Sequence, residues 1–519
     1  MKTLRSYVRG RWHEAQGGFA ALVDPSTEEE IARASSQGID FGAVLAYARE
    51  RGGPALRGMT FAQRSALLKD MSKVLRDHRD ELLDTSARNT GTTRPDGSFD
   101  VDGGSGTLAY YASIGRGLGD RTFLAESEGV QLAKTEGFYA RHILIPRTGV
   151  AVHVNAFNFP VWGFAEKAAC ALLAGMPVIT KPATATAMVT ERAIELIVEA
   201  GILPDGALQL VVGSTGDLLD RLGPQDVLAF TGSADTARRL RSRDNLLAAN
   251  TRVNVEADSL NAAVLGPDVA PDGGSATFGL FLKDVVREMT QKTGQKCTAV
   301  RRILVPRDRV DAVQEALAGR LSQVVVGNPA DGSVTMGPVA TAQQLRDGEE
   351  GIAELQKGAR LVHGTGRRTD GVGAPSGKGF FLQPTLLRAD DPGNAGPVHE
   401  REVFGPVATI LPYDGTAADA AGIAALGGGT LVNSAYTDDA AWAADFLVHG
   451  GGSTGRLYLG SESSAADAPG SGAALPQALH GGPGRAGGGE ELGGLVGVKL
   501  YLQRVAVQGS KAVVEGLVG

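Results

Sequence analysis

Apolar residues first repeat strongly at helical spacing after Thr60, where Leu67, Met71, Val74 and Leu75 share one face. Thr60 and Gln63 open that stretch with the spacing of a capping box and predict a helix from about residue 60. The Asp24-Pro25-Ser26-Thr27 string upstream is a turn signal. Residues 92–106 are polar and glycine-rich and read as loop. From Arg141 the pattern changes. Residues 142–146, 149–154, 178–180, 208–212 and 227–230 are short β-rich runs. Residues 161–173, 184–200 and 216–222 between them carry helical patterns, the second with Val189, Ala193, Leu196, Ile197 and Ala200 inward. Such alternation predicts a parallel α/β sheet that binds ligands beyond the carboxyl ends of its strands. The pattern returns at 301–305, 310–324 and 359–362, so a second α/β unit is expected after about residue 257. Residues 498–507 alternate like an edge strand and, with the β-rich segment 137–144, predict sheet extension between subunits. No internal repeat of 20–50 residues is present.

A length of 519 residues exceeds what one ordinary core serves, so two or three domains are expected. A net charge of −7 argues against nucleic acid as a partner. No apolar run approaches the ~20 residues of a membrane span, and the N-terminus lacks a secretory core. The expected location is cytoplasmic. Two cysteines make no disulfide framework, and the eight histidines show no metal-ligand spacing, so no metal is expected. The 72 glycines, about twice the usual share, concentrate between Gly427 and Gly494. Apolar runs such as 457–459 persist there, which predicts ordered loops around a site.

Candidate chemistry centres on Thr290-Gln-Lys-Thr-Gly-Gln-Lys-Cys297, where a glycine lets backbone approach a bound group. Cys297 is a nucleophile candidate if a base and an oxyanion donor exist elsewhere. Glu256 ends the β-type run Val253-Asn-Val-Glu256 and suits a general base, or a plain surface glutamate. Asn158, in Asn155-Ala-Phe157-Asn158-Phe-Pro160 between a strand and a helix, can donate to an oxyanion or cap the helix. Lys181-Pro-Ala-Thr184 stands at a strand-to-helix junction suited to an anionic or ribose-phosphate group. Phe230-Thr-Gly232-Ser233 is a second such turn. Glu400-Arg-Glu402-Val-Phe404 offers a carboxylate and a ring for a ribose and a flat heterocycle, or is a charged turn. Cys170 lies in an alanine- and leucine-rich run and reads as a buried small hydrophobe.

In this order and together, these strings resemble the aldehyde dehydrogenase superfamily over residues 20–507. The resemblance implies a Rossmann-type cofactor domain (1–127 and 148–256), an α/β catalytic domain (257–488) and a small β oligomerisation element (128–147 and 489–519). It implies Cys297 as nucleophile, Glu256 as general base and Asn158 as oxyanion donor, joined by the Cys297 N–H. Lys181 would hold the adenine ribose and Glu402 the nicotinamide ribose. Phe404 and Phe157 would lie near the cofactor, with Gly232 and Ser233 at the pyrophosphate. Glu491 matches a glutamate of some members' proton relays.

Thr184 stands where the family often has a glutamate gripping the ribose 2′-hydroxyl, so NADP is expected over NAD. Ala237 replaces a usual glycine after the Phe-Thr-Gly-Ser turn, and residues 267–277 look like an inserted loop. The C-terminal string from His480 to Gly494 is similar to aldehyde dehydrogenases that oxidise CoA-linked semialdehydes left by ring cleavage in aerobic aromatic degradation. A related phenylacetate group carries a fused hydratase-type domain; the short stretch after Gly494 points instead to the stand-alone group of benzoate degradation. Glu256 implies water rather than coenzyme A as acyl acceptor, leaving a CoA-acylating enzyme or a non-catalytic relative as alternatives. A homodimer, or a dimer of dimers, is implied.

Overall fold

The computed structural model describes residues 1–126 and 128–518; the expected boundary positions 127 and 519 lie outside them. Two seven-stranded sheets organise the chain. The first runs, in spatial order, Arg252–Glu256, Val227–Thr231, Ala151–Val154, Val178–Lys181, Leu208–Leu210, Ser6–Val8 and Arg11–His13. Its first five strands are parallel, and the last two join antiparallel. The parallel part starts at Ala151–Val154, builds outward in one direction and then in the other. Strand order therefore reverses beside Val227–Thr231, the place where open α/β sheets hold ligands. Register aligns Val154 with Lys181 and Phe230, and Thr231 with Glu256, so these carboxyl ends form one rim.

The second sheet runs Arg360–His363, Thr385–Arg388, Val407–Tyr413, Arg302–Pro306, Ala262–Leu265, Asn433–Tyr436 and Leu457–Gly460. All its pairings are parallel except that of Arg360–His363. Strands buried on both faces read as unbroken apolar runs. Alternate residues then serve opposite cores: Ala151 and Val178 face one side of the first sheet, Val152 and Ile179 the other. A smaller antiparallel sheet is built on Tyr139–Pro146, with Leu502–Gly509 paired along its whole length. Among the described residues no helix is long and apolar enough to cross a membrane.

The helix after Thr60 spans Phe61–Asp77, and both bonds of its capping box form. Leu68, Met71 and Leu75 form its fully buried stripe, with Leu67 and Val74 at the margin. The expected loop at 92–106 is instead the start of a helix, Arg94–Leu118. Thr93 caps it, accepting from the Asp96 amide, and Pro95 occupies its first turn. Its glycines serve close packing rather than turning. A Cβ at Gly103 would meet the Trp162 ring at 2.2 Å, and one at Gly115 the Leu173 side chain at 2.5 Å.

Other expectations shift in detail. Residues 216–222 form only a 3-10 turn, Leu218–Arg221, and Ala200 is an exposed C-cap rather than a core residue. The 267–277 insertion is loop up to Ser275, which caps the helix Ala276–Thr290 through the Phe278 amide. Residues 498–499 belong to a helix, Leu495–Lys499, and the edge strand begins only at Leu502. Gly493 and Gly494, at φ 63° and 61°, turn the chain into that helix. Arg252 collects the carbonyls of Lys499, Leu500 and Leu502 at its end.

Candidate active site

The helix Ala276–Thr290 ends in three successive left-handed residues, Lys292, Thr293 and Gly294 (φ 51°, 58° and 66°). For the two non-glycine residues this costs roughly 1–2 kcal/mol each, so surrounding bonds must hold the turn. Thr293 Oγ1 donates to the Gly337 carbonyl at 2.9 Å, and Gln295 Oε1 accepts from the Ala340 amide at 3.0 Å. A Cβ at Gly294 would lie 2.2 Å from the Gly405 carbonyl oxygen, which requires glycine there. The turn delivers Cys297, whose carbonyl accepts from Asn261 Nδ2 at 2.8 Å.

Cys297, Glu256, Asn158 and Thr231 line two spaces at once. One is a chamber closed by Phe99, Phe159, Trp162 and His480. Its three aromatic rings pack edge to face at 5.2–5.8 Å, a rigid apolar wall. The other is a cleft of about 490 Å³, lined also by Phe157, Gly232, Ser233, Glu402 and Phe404. The thiol thus stands where the two meet.

Burial pushes the Cys297 thiol well above its usual range, and the facing Glu256 adds to this. Burial acts the same way on Glu256, but His480 and then Lys167 outweigh it and hold the carboxyl below the ordinary carboxylate range. Glu256 Oε2 accepts from Thr231 Oγ1 at 3.4 Å. His480 Nε2 lies 3.3 Å from Glu256 Oε1, an ion-pair distance without hydrogen-bond alignment, and 3.8 Å from Cys297 Sγ.

In the cleft, Glu402 Oε2 accepts from the Ser259 amide at 3.2 Å and Oε1 pairs with Arg301 at 3.4 Å. Burial raises its pKa to about 7 against the opposing pull of Arg301. Phe404 packs edge-on to Phe157 at 5.7 Å. Ser233 caps the helix Ala234–Arg241. Acceptors for sugar hydroxyls, an aromatic face and a helix N-terminus at the strand switch point fit a dinucleotide.

Two expected contacts flank a residue of the cleft lining. Lys181 and Thr184 sit at the carboxyl end of Val178–Lys181, where Thr184 Oγ1 donates to the Gly213 carbonyl at 3.3 Å; Ala183 between them reaches the lining. Glu491 lies behind Glu256 rather than in either space. It accepts from Asn254 Nδ2 at 2.9 Å and from Lys167 Nζ at 3.0 Å, and Lys167 also pairs with Glu166 at 2.8 Å. Burial raises the Glu491 pKa more than Lys167 lowers it.

His480, Glu166 and Lys167 are functional-site neighbours that motif reading passed over. A signal existed: Glu166-Lys167 is a charged pair inside an otherwise apolar helix, Trp162–Ala174, and had to be buried. Cys170 is buried as expected.

A dinucleotide-type cleft meeting a buried thiol is the layout of a cofactor-dependent oxidoreductase. Residues 12–472 match the aldehyde dehydrogenase family, and the chain belongs to it: this is an aldehyde dehydrogenase. Among its relatives, the 3,4-dehydroadipyl-CoA semialdehyde dehydrogenase of Aromatoleum evansii is 47% identical over 480 residues, covering 92% of this chain and 93% of the relative. Solved structures share the fold. Betaine aldehyde dehydrogenase of Staphylococcus aureus in complex with NAD+ superimposes with a TM-score of 0.83 at 23% identity, over 98% and 95% of the two chains. A 3,6-anhydro-L-galactose dehydrogenase in complex with NAP gives 0.84 at 23%, over 98% and 100%.

Proposed function

We propose that this aldehyde dehydrogenase oxidises a CoA-linked semialdehyde, 3,4-dehydroadipyl-CoA semialdehyde, to its carboxylic acid in aerobic benzoate degradation. The cytoplasm is the proposed location. The convergence of Cys297, Glu256 and Asn158 where chamber and cleft meet carries the chemistry. The 47% identical relative supports the substrate. Cys297 attacks the aldehyde carbon and forms the C–S bond. Asn158 Nδ2 and the Cys297 N–H hold the oxygen that gains charge, a contact worth roughly 3–4 kcal/mol. A bound nicotinamide dinucleotide supplies the hydride acceptor. Phe157, Gly232, Ser233, Glu402 and Phe404 would hold it, with Lys181 and Thr184 beside the adenine ribose.

Oxidation leaves a thioester on Cys297. Glu256 then takes a proton from water as the water adds, and collapse releases the acid and the thiolate. Glu491, behind Glu256, is proposed to pass that proton on through Lys167 and Glu166.

NADP is the proposed cofactor, with NAD weaker, because Thr184 supplies no carboxylate to repel a 2′-phosphate. Residues 1–127 and 148–256 would form the cofactor domain, 257–488 the catalytic domain, and 128–147 with 489–519 the oligomerisation element. The outer edge of Leu502–Gly509 suits pairing in a homodimer. The test is steady-state kinetics with CoA-linked and free semialdehydes, each with NADP and with NAD, without added coenzyme A. Highest kcat/KM for the CoA-linked semialdehyde with NADP is expected. Preference for free short aldehydes, or turnover only with added coenzyme A, would overturn the reading.

A further inference from the structure

The chamber offers about 40 Å³ of free space against the cleft's 490 Å³, room for a few water-sized groups. The aldehyde group and its nearest carbons fill it, so a longer substrate must lie partly outside the mouth. Burial separates mouth from floor. Among residues that line the chamber but not the cleft, Phe99, Phe159, Gly163 and Ala474 are partly exposed, while Glu166, Lys167, Gly472 and His480 are buried. Two parts of the mouth are fixed. Lys292 Nζ lies over the Phe159 ring at 4.4 Å and Lys296 Nζ over the Phe99 ring at 5.4 Å, and the two rings meet edge to face at 5.8 Å. In the loop that leads to Ala474, three successive carbonyls are held. Arg456 donates to those of Ser471 at 2.9 Å and Ala473 at 2.7 Å, and Thr298 Oγ1 donates to that of Gly472 at 3.0 Å.

The remaining part is a glycine that the backbone does not need. Gly163 lies in the first turn of the helix Trp162–Ala174, outside the left-handed region. A Cβ there would meet only Asn155 Cβ, at 4.0 Å, an ordinary contact. Glycine in a helix costs stability relative to alanine. Gly319 and Gly422 are as open, so glycine alone decides nothing, but both lie on exposed helix surface and line neither space. Gly163 differs in where a side chain would go. It shares a helix face with Glu166 and Lys167, three and four residues on, and all three line the chamber. Helical side chains lean towards the N-terminus, so one at position 163 would reach from the partly exposed end of that face into the mouth. We propose that Gly163 is a specificity-determining residue. The space left by its missing side chain is the passage by which the chain of a long, unbranched aldehyde leaves the chamber while its carbonyl stays at Cys297. Ala474, on the clamped loop, bounds the same passage.

This inference rests on aldehyde oxidation at Cys297 but not on the CoA-linked substrate. Steady-state kcat/KM is measured with saturating cofactor for propanal, hexanal, decanal and the CoA-linked semialdehyde in the wild type, Gly163→Ala, Gly163→Leu and Ala474→Leu. Melting temperature establishes folding; Gly163→Ala should melt no lower than the wild type, as should the surface comparison Gly319→Ala. The wild type should accept decanal. The ratio of kcat/KM for decanal to that for propanal should fall at least tenfold in Gly163→Leu and Ala474→Leu, and less in Gly163→Ala, mainly through a higher KM for decanal. General loosening of the fold would lower both aldehydes together and leave the ratio. A ratio within twofold of the wild type in folded Gly163→Leu, or in both Gly163→Ala and Ala474→Leu should that variant not fold, would overturn the role of Gly163. So would a wild type that rejects decanal. A shifted ratio in an enzyme that ignores the CoA-linked semialdehyde would sustain it and overturn the proposed substrate instead.

Discussion

Replacing Gly103 by alanine tests how the glycine-rich helix shapes the aldehyde chamber. In an open helix position the change stabilises by about 1 kcal/mol, the propensity difference between the two residues. Gly106, on the same helix, has nothing within 4 Å of an added Cβ and should show that gain. At Gly103 the new carbon would lie 2.2 Å from Trp162 Cε3 and 2.5 Å from Cδ2 and Cζ3. Trp162 cannot rotate freely, because Phe99 and Phe159 brace it at 5.2 and 5.8 Å. Overpacking of this kind costs about 1–3 kcal/mol, and loosening either ring pair adds about 0.5–1.5 kcal/mol. The helix gain is outweighed, and Gly103→Ala should lose about 0.5–3.5 kcal/mol net. The displaced indole lines the chamber, and misplacement near 1 Å can cost about 10²-fold, so aldehyde kcat/KM should fall between roughly tenfold and a hundredfold. Urea midpoints of the two variants measured side by side, with steady-state kinetics, make the assay. A Gly103→Ala protein as stable as Gly106→Ala, with unchanged kinetics, would refute the packing argument.

Other expectations follow from the buried charges. Lys167→Met leaves Glu166 and Glu491 without their shared cation, and breaking a buried pair costs about 3–5 kcal/mol; a lowered urea midpoint is expected, partly restored by adding Glu491→Gln. Glu402 holds its proton to about pH 7 in the folded chain, whereas an unfolded glutamate releases it near 4.3. The folded state therefore binds more protons in that window, and stability falls as pH rises from about 4.3 to about 7. Glu402→Gln should flatten this slope, a difference of about 4 kcal/mol by pH 8, read from unfolding midpoints across pH without cofactor.

The parallel strands were legible because burial on both faces demands short apolar runs between turn signals, as at 178–180 and 227–230. The cap at Thr60 was legible because its two bonds are local. The helix Arg94–Leu118 was not, since glycine content reads as loop and only contact with Trp162 and Leu173 reveals its use. Motif order brought out Cys297, Glu256, Asn158 and the Glu402–Phe404 wall, and the chain places these around one cleft. What surrounds them was hidden for a different reason. His480 acquires meaning only beside Glu256, more than two hundred residues earlier, and Lys167 only between Glu166 and the distant Glu491. Lys181 and Thr184 were placed correctly at a strand end, on either side of Ala183, which lines the cleft.

The division of labour between Cys297 and Glu256 is tested most directly by rapid mixing of Glu256→Gln with semialdehyde and NADP, followed by intact-mass spectrometry. One equivalent of reduced cofactor per site, then arrest with an acyl group on Cys297, is the predicted result. Sustained turnover at the wild-type rate, or a burst with no adduct on that cysteine, would contradict it.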